Sequence, residues 1–204
     1  MSRLVLATAN THKAAEMRAV LSGLGFEVEP RPEGLGEVDE VDETLEGNAV
    51  LKARAVAAAA GATAVADDTG LFVDALGGRP GVYSARYAGP GASDAQNVAR
   101  VLAELEGVAP AARGAHFRTV IAVAEPDGSA RWVDGVLVGR IAPAPRGENG
   151  FGYDGVFIPS DLGGETLAEL SADAKNAISH RGRALRALAE LLRREGGPSR
   201  AVHP

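Results

Sequence analysis

Apolar positions along the chain switch repeatedly between two spacings. Leu4-Val5-Leu6-Ala7 is a short unbroken apolar run of the kind a buried strand makes. Met17, Val20, Leu21 and Leu24 then recur at helical spacing and predict a helix over 11–23, ending near Gly23 or Gly25. Phe26-Glu27-Val28 predicts a short strand, and the Pro-, Gly- and acid-rich stretch 30–43 predicts a loop. Leu45, Ala49, Ala53, Val56, Ala57 and Ala60 predict a second helix that Gly61 stops. Residues 62–66 predict a strand that ends in Asp67-Asp68 and turns sharply at Gly70. Residues 77–81 predict a loop. Ser93-Asp94-Ala95-Gln96 is a capping box, opening a helix marked by Val98, Leu102 and Leu105. Phe117–Ala124 and Arg131–Val138 predict two strands joined by a hairpin turn at Glu125-Pro126-Asp127-Gly128. A Pro/Gly loop over 142–150 follows, and Leu185, Leu188 and Leu192 mark a last helix from about Ser179 to Glu195.

Strands separated by helices, with a hairpin added, predict an α/β fold with a mixed sheet. No repeat and no clean linker interrupts the pattern, so one domain over 1–195 is expected, with 196–204 as a flexible tail. The 204-residue length suits that reading, and 46% apolar content is enough for a substantial core. Cysteine is absent, which excludes disulfides, zinc–thiolate sites and a thiol nucleophile. The N-terminal apolar run is too short for a signal sequence or a membrane span, so a soluble cytoplasmic protein is expected.

The net charge of −6 argues against binding a nucleic-acid backbone without sequence preference. An anionic small molecule is still compatible, provided cations gather locally. The 21 cationic side chains are 18 Arg and three Lys, at 13, 52 and 175. Lysine is a compact point charge that fits beside phosphate oxygens, whereas arginine is a wide planar fork. In so Arg-rich a chain the three lysines are candidate site residues.

Two adjacent carboxylates at the end of a buried strand repel each other, and a hard divalent cation such as Mg²⁺ would relieve the repulsion. A solvated turn explains Asp67-Asp68 equally well on this segment alone. Thr8-Ala9-Asn10-Thr11-His12-Lys13 lies where the first strand gives way to the first helix, a place suited to phosphate. Lys13 there opposes the helix dipole, which an anionic ligand would explain. Asn48 and Lys52 share a helical face behind an acidic loop holding Asp39, Glu40, Asp42 and Glu43, any of which could join Asp67 or Asp68. Phe151-Gly152-Tyr153-Asp154 offers a ring to stack on a base and a carboxylate for base N–H groups. Lys175 and Ser179-His180-Arg181 add further polar groups at a helix start.

Taken in order, these segments resemble the inosine triphosphate pyrophosphatase family, also called XTP/dITP diphosphatases. The resemblance runs from Leu4 to about Leu192 and includes Pro80-Gly81-Val82-Tyr83-Ser84-Ala85-Arg86-Tyr87. It implies an elongated mixed sheet flanked by helices, with a substrate cleft between two lobes. It also implies a homodimer and Mg²⁺-dependent hydrolysis of ITP, dITP or XTP to monophosphate and pyrophosphate, which cleanses the nucleotide pool. Carried over by position, Thr8, Ala9, Asn10, Thr11, His12 and Lys13 would bind the triphosphate, helped by Lys52. Asp68 would be general base, Glu40 and Asp68 metal ligands, and Thr69 a neighbour of the substrate. Phe151, with Gly152 and Tyr153 beside it, would stack on the base, while Asp154, Lys175, His180 and Arg181 would read or flank it. Two positions depart from the family pattern. Leu45-Glu46-Gly47-Asn48-Ala49 carries its acid one residue out of place, and leaves Asp39 a rival to Glu40. Gly155 stands where Pro is usual. Other readings are a Maf-like pyrophosphatase acting on pyrimidine or modified nucleotides, and a noncatalytic nucleotide sensor.

Overall fold

The computed structural model describes residues 3–36, 38 and 40–196. Asp39 and the tail expected beyond Gly196 lie outside the described residues. The strands are β1 (Arg3–Leu6), β2 (Glu27–Glu29), β3 (Ala64–Val73), β4 (Pro80–Gly81), β5 (Gly114–Ala124), β6 (Ala130–Ile141) and β7 (Phe157–Pro159). The helices are α1 (Thr11–Gly23), α2 (Leu45–Ala60), α3 (Asp94–Glu104), α4 (Ala172–Ile178) and α5 (His180–Gly196). They form a mixed sheet of order β2-β1-β3-β5-β6-β7, with β4 also paired to β3. β1 runs parallel to β2 and β3, and the other pairs are antiparallel.

Local chemistry explains where the helices begin and end. Asn10 and Thr44 accept from the backbone N–H groups of Lys13 and Gly47, and Ser93 forms the expected capping box with Gln96. Each such cap contributes about 1 kcal/mol. Gly61 closes α2 in the left-handed region, at φ +59°, where a side chain would be strained.

Alternation along β3 and β5 divides the core. Ala64, Ala66, Val120 and Ala122 face α2. Val65, Ile121 and Val123 face α1 and α5. At the far end of the sheet, Leu71, Val73, Phe117 and Leu137 pack against Val101 and Leu105 at α3 and against Phe157.

Two sequence expectations need correction. The chain does not turn after Asp68, because β3 continues to Val73 and pairs with β5 along all ten of its residues. The backbone ladder, with a cation supplied to each acid, outweighs the turn preference of Asp-Asp-Thr-Gly. Gly70 therefore serves a close approach rather than a turn, since a Cβ there would lie 2.7 Å from the Gly81 carbonyl oxygen. Similarly, the expected loop at 77–81 ends in the short strand β4. The last helix starts where expected, but a separate seven-residue helix, α4, precedes it.

On its other edge β3 pairs with β1 only at Ala64–Val65 and with β4 only at Leu71–Phe72. Residues 66–70 face a notch in the sheet between the two, and the acids sit at this notch.

Candidate active site

Because side chains alternate along a strand, Asp67 and Asp68 leave β3 on opposite faces. They are not the side-by-side pair that the sequence suggests. Asp68 points toward α2, where its Oδ1 lies 2.9 Å from Lys52 Nζ. That ammonium is also 2.8 Å from Glu40 Oε1, and Arg86 reaches Glu40 Oε2 at 3.1 Å. Asp68 Oδ2 is buried and has no hydrogen-bond partner among the described residues. Burial pushes the Asp68 carboxyl above its ordinary range, against the pull of Lys52, and Glu40 adds to the rise. For Glu40 burial also pushes upward, but Lys52 and Arg86 outweigh it and the group lies low. The two acids share one ammonium yet shift oppositely because Glu40 stays wetter, its side chain 29% exposed against 7% for Asp68. Burial disfavours the Lys52 ammonium, but Asp68, Asp67 and Glu40 together hold it protonated.

Asp67 points toward α1 and α5. Its Oδ2 lies 3.2 Å from Lys13 Nζ and 3.1 Å from an Arg181 nitrogen. Burial opposes its charge, yet Lys13, Arg181 and Lys52 hold the carboxyl well below the usual range. Its other oxygen is buried without a hydrogen-bond partner among the described residues. Lys13 thus opposes its helix dipole beside a protein carboxylate.

A cleft of about 470 Å³ opens over the notch. Ala7, Thr8, Ala9, Asn10 and Lys13 line it from the β1–α1 connection, and Arg31, Lys52 and Arg86 add positive charge. Asn10 caps α1 and also lines the cleft. Thr8 Oγ1 accepts from the Asn10 N–H. Thr11 opens α1 on its exposed side and lines neither this cleft nor the pocket beside it. His12 stacks on Phe151 with ring centroids 5.4 Å apart. Asn48 turns inward instead of facing the cleft, and its amide clamps the backbone N–H and carbonyl of Asp42. Glu46 pairs with Arg118, so the misplaced acid of that segment plays no part here.

A second pocket of about 110 Å³ adjoins the first through Asn10, Lys13 and Ala85. Phe151, Gly152, Tyr153, Asp154, Lys175, His180, Arg181 and Thr69 all line it. The Tyr153 hydroxyl donates to the Ser84 carbonyl at 2.9 Å, which ties this loop to the segment after β4. Asp154 Oδ2 accepts from the Phe151 N–H at 2.9 Å and from Lys175 Nζ at 2.5 Å. Burial raises the Asp154 pKa against the pull of Lys175. Gly155, where Pro is usual, accepts from the Arg146 N–H at 2.8 Å. The Lys175 ammonium lies 4.6 Å from the centre of the Phe151 ring and the Arg181 guanidinium 5.6 Å. His180 is buried, and burial with neighbouring Arg181 and Lys175 keeps it neutral, well below its ordinary pKa.

Sequence reasoning missed Glu16, whose carboxylate joins Lys175 at 2.6 Å to Arg181. The available signal was its place on the Lys13 face of α1, three residues on. Arg86 lay in a recognised segment without a role, and Arg31 and Thr119 had no signal at all.

The Ham1 family profile matches residues 4–191. A dITP/XTP pyrophosphatase of Bacillus subtilis is 46% identical over 195 residues, 94% of this chain and 98% of that protein. One of Nitratidesulfovibrio vulgaris is 51% identical over 197 residues, 92% of this chain and 94% of that protein. A solved HAM1 protein from Coxiella burnetii aligns with a TM-score of 0.84 at 43% identity, covering 95% of this chain and all of that one. The chain belongs to the Ham1 family.

Proposed function

We propose that this chain hydrolyses noncanonical purine nucleoside triphosphates of the dITP/XTP class to the monophosphate and pyrophosphate. The names of its relatives support the substrate class. The observation that carries the reading is the junction of two unlike pockets. A wide cationic cleft meets a small pocket lined by the Phe117, Phe151 and Tyr153 rings, by Lys13, Lys175 and Arg181, by Asp94 and Asp154, and by the neutral His180 imidazole.

In this reading the triphosphate lies along Thr8, Ala9, Asn10 and Lys13, with Arg31 and Arg86 opposite, and Phe151 stacks on the base. Lys175 and Arg181 present donors to a keto oxygen. A site built for those hydrogen bonds rejects a base that lacks them, because its own polar groups would stay unpaired. Lys52 holds one oxygen of Asp68, which leaves the buried Oδ2 to orient a water and take its proton. Attack is at the α-phosphorus, and pyrophosphate leaves.

The donor set also fits Mg²⁺. Glu40 and Asp68 face one point through Lys52 and supply two hard carboxylate donors of the kind Mg²⁺ takes. Among the described residues no third His, Asp or Glu joins them, which suits an ion that takes its remaining ligands from phosphate and water. When bound, the ion would neutralise charge on the phosphates. Homodimer assembly and a cytoplasmic site of action rest on the family resemblance, and sedimentation tests the first. Among the described residues no helix is long and apolar enough to cross a membrane.

The deciding experiment is a panel of nucleoside triphosphates with Mg²⁺, scored for pyrophosphate against orthophosphate. ITP, dITP and XTP should give pyrophosphate, and ATP little of either. Orthophosphate as the direct product would sink the proposal.

A further inference from the structure

Thr119 on β5 stands directly opposite Thr69 on β3, fully buried. Their hydroxyl oxygens are 2.7 Å apart. Thr119 Oγ1 is also 2.6 Å from His180 Nδ1. Thr69 Oγ1 is 3.3 Å from Asp67 Oδ2 and 3.3 Å from an Arg181 nitrogen. A file of polar groups therefore crosses the sheet, from the Asp67 carboxylate to the ring that lines the smaller pocket.

Proton counting fixes its direction. Each hydroxyl has one proton and can accept twice, an ionised carboxylate only accepts, and a guanidinium only donates. In one order Thr69 donates to Asp67 and accepts from Arg181 and Thr119, while Thr119 accepts from His180 Nδ1–H. All four contacts are then hydrogen bonds. In the reverse order Thr69 donates to Thr119, and Thr119 donates to a bare Nδ1. The contact between Asp67 and Thr69 then sets lone pair against lone pair at a partly buried site, and one hydrogen bond of the file is lost.

We infer that Thr119 is a positioning residue: the Thr69–Thr119 hydroxyl pair, anchored on Asp67, fixes His180 as its Nδ1-protonated tautomer and leaves Nε2 a bare acceptor for the base pocket. Nε2 makes no hydrogen bond among the described residues, and the ring stacks on Phe117 with centroids 4.5 Å apart and planes inclined by 28°. The consequence for selectivity rests on the function proposed above. Donors at Lys175 and Arg181 beside an acceptor at Nε2 match the O6 and N1–H edge of a 6-keto purine. Adenine presents the opposite pattern there, an N6 donor beside an N1 acceptor.

The test is long-range ¹H–¹⁵N correlation on the free protein labelled with ¹⁵N-histidine, His180 being assigned from its loss in His180→Gln. The wild type and Thr119→Ser should show a protonated Nδ1 and a bare Nε2, and Thr119→Val should move toward protonation at Nε2. With nucleotides, the preference for ITP over ATP in kcat/KM should fall about tenfold in Thr119→Val and recover in Thr119→Ser. A wild-type His180 protonated at Nε2 overturns the inference. So does a Thr119→Val protein that keeps the wild-type tautomer or the wild-type preference. If Thr119→Val does not fold, the wild-type spectrum and Thr119→Ser still decide. An Nδ1-protonated protein that hydrolyses no ITP would refute the proposed function and leave the tautomer standing.

Discussion

Lys52 reaches across from α2 to place its ammonium 2.9 Å from Asp68 Oδ1 on β3. The pair is almost fully covered by protein, and the second Asp68 oxygen has no hydrogen-bond partner among the described residues. One oxygen is thus fixed while its twin stays available, which is how a carboxylate is held ready to orient a water. Asp68→Asn keeps the shape and removes the basicity. Turnover of ITP should fall by about 10²- to 10⁴-fold, the usual worth of a positioned acid–base group. The far-UV spectrum should be unchanged, because the new amide still accepts from Lys52. Steady-state kinetics beside circular dichroism checks both, and near-normal turnover would remove Asp68 from its assigned role.

The same pair sets a pH dependence. Burial raises the Asp68 pKa while Lys52 restrains the rise. Removing the ammonium in Lys52→Met leaves burial and the Glu40 charge opposed only by the weaker pull of Lys13, so the Asp68 pKa must climb further. A base is active when deprotonated, so the acid limb of the kcat/KM profile should move to higher pH in Lys52→Met. A lower plateau from the lost cleft charge is separable, since it leaves the limb where it is. A limb at the wild-type position would show that Asp68 does not govern it.

Gly70 tests the path of β3 past the acids. A Cβ at this position would meet the Gly81 carbonyl oxygen at 2.7 Å and the Phe72 ring at 2.9 Å. Neither the backbone of β4 nor a packed ring yields cheaply. Gly70→Ala should cost about 1–3 kcal/mol, the usual range for overpacking, and should push β4 and the Ser84–Arg86 segment away from the cleft. Denaturant unfolding together with the KM for ITP reads both. An unchanged midpoint would mean that β4 does not lie this close to β3.

Much of the fold was legible because its signals are local. The helical spacing of Met17, Val20 and Leu21, the Ser93–Gln96 box and the stop at Gly61 each act within a turn or two of chain. β3 was cut short because Asp-Asp-Thr-Gly has turn chemistry, and what overrides it is a ladder with residues 115–124, some fifty positions away. α4 and β7 were too short to show a period. In the site, Asp68, Lys52, Lys13 and Phe151 carried the pattern themselves. The opposed faces of Asp67 and Asp68 followed from strand alternation only once the strand was known to continue. Thr119 was illegible, since a lone Thr in an apolar strand looks like packing until its partner from α5 is in place.

Glu16 carries the last prediction. Its carboxylate joins Lys175 to Arg181, and these two cations flank the Phe151 ring. Breaking one partner out of a buried charge network costs about 3–5 kcal/mol when the rest stays buried. Here Asp154 still holds Lys175 and Asp67 still holds Arg181, so the loss should fall short of that. Glu16→Gln keeps the length and a carbonyl acceptor but drops the charge. Lys175 and Arg181 would then repel each other with less restraint and drift from the base pocket. Neither contacts Asp68. KM for ITP should therefore rise by about tenfold while kcat stays within about threefold, the pattern of an interaction made equally in ground and transition states. An unchanged KM with a lower kcat would mean that Glu16 acts on the phosphate end instead, through Asp67 and Lys13.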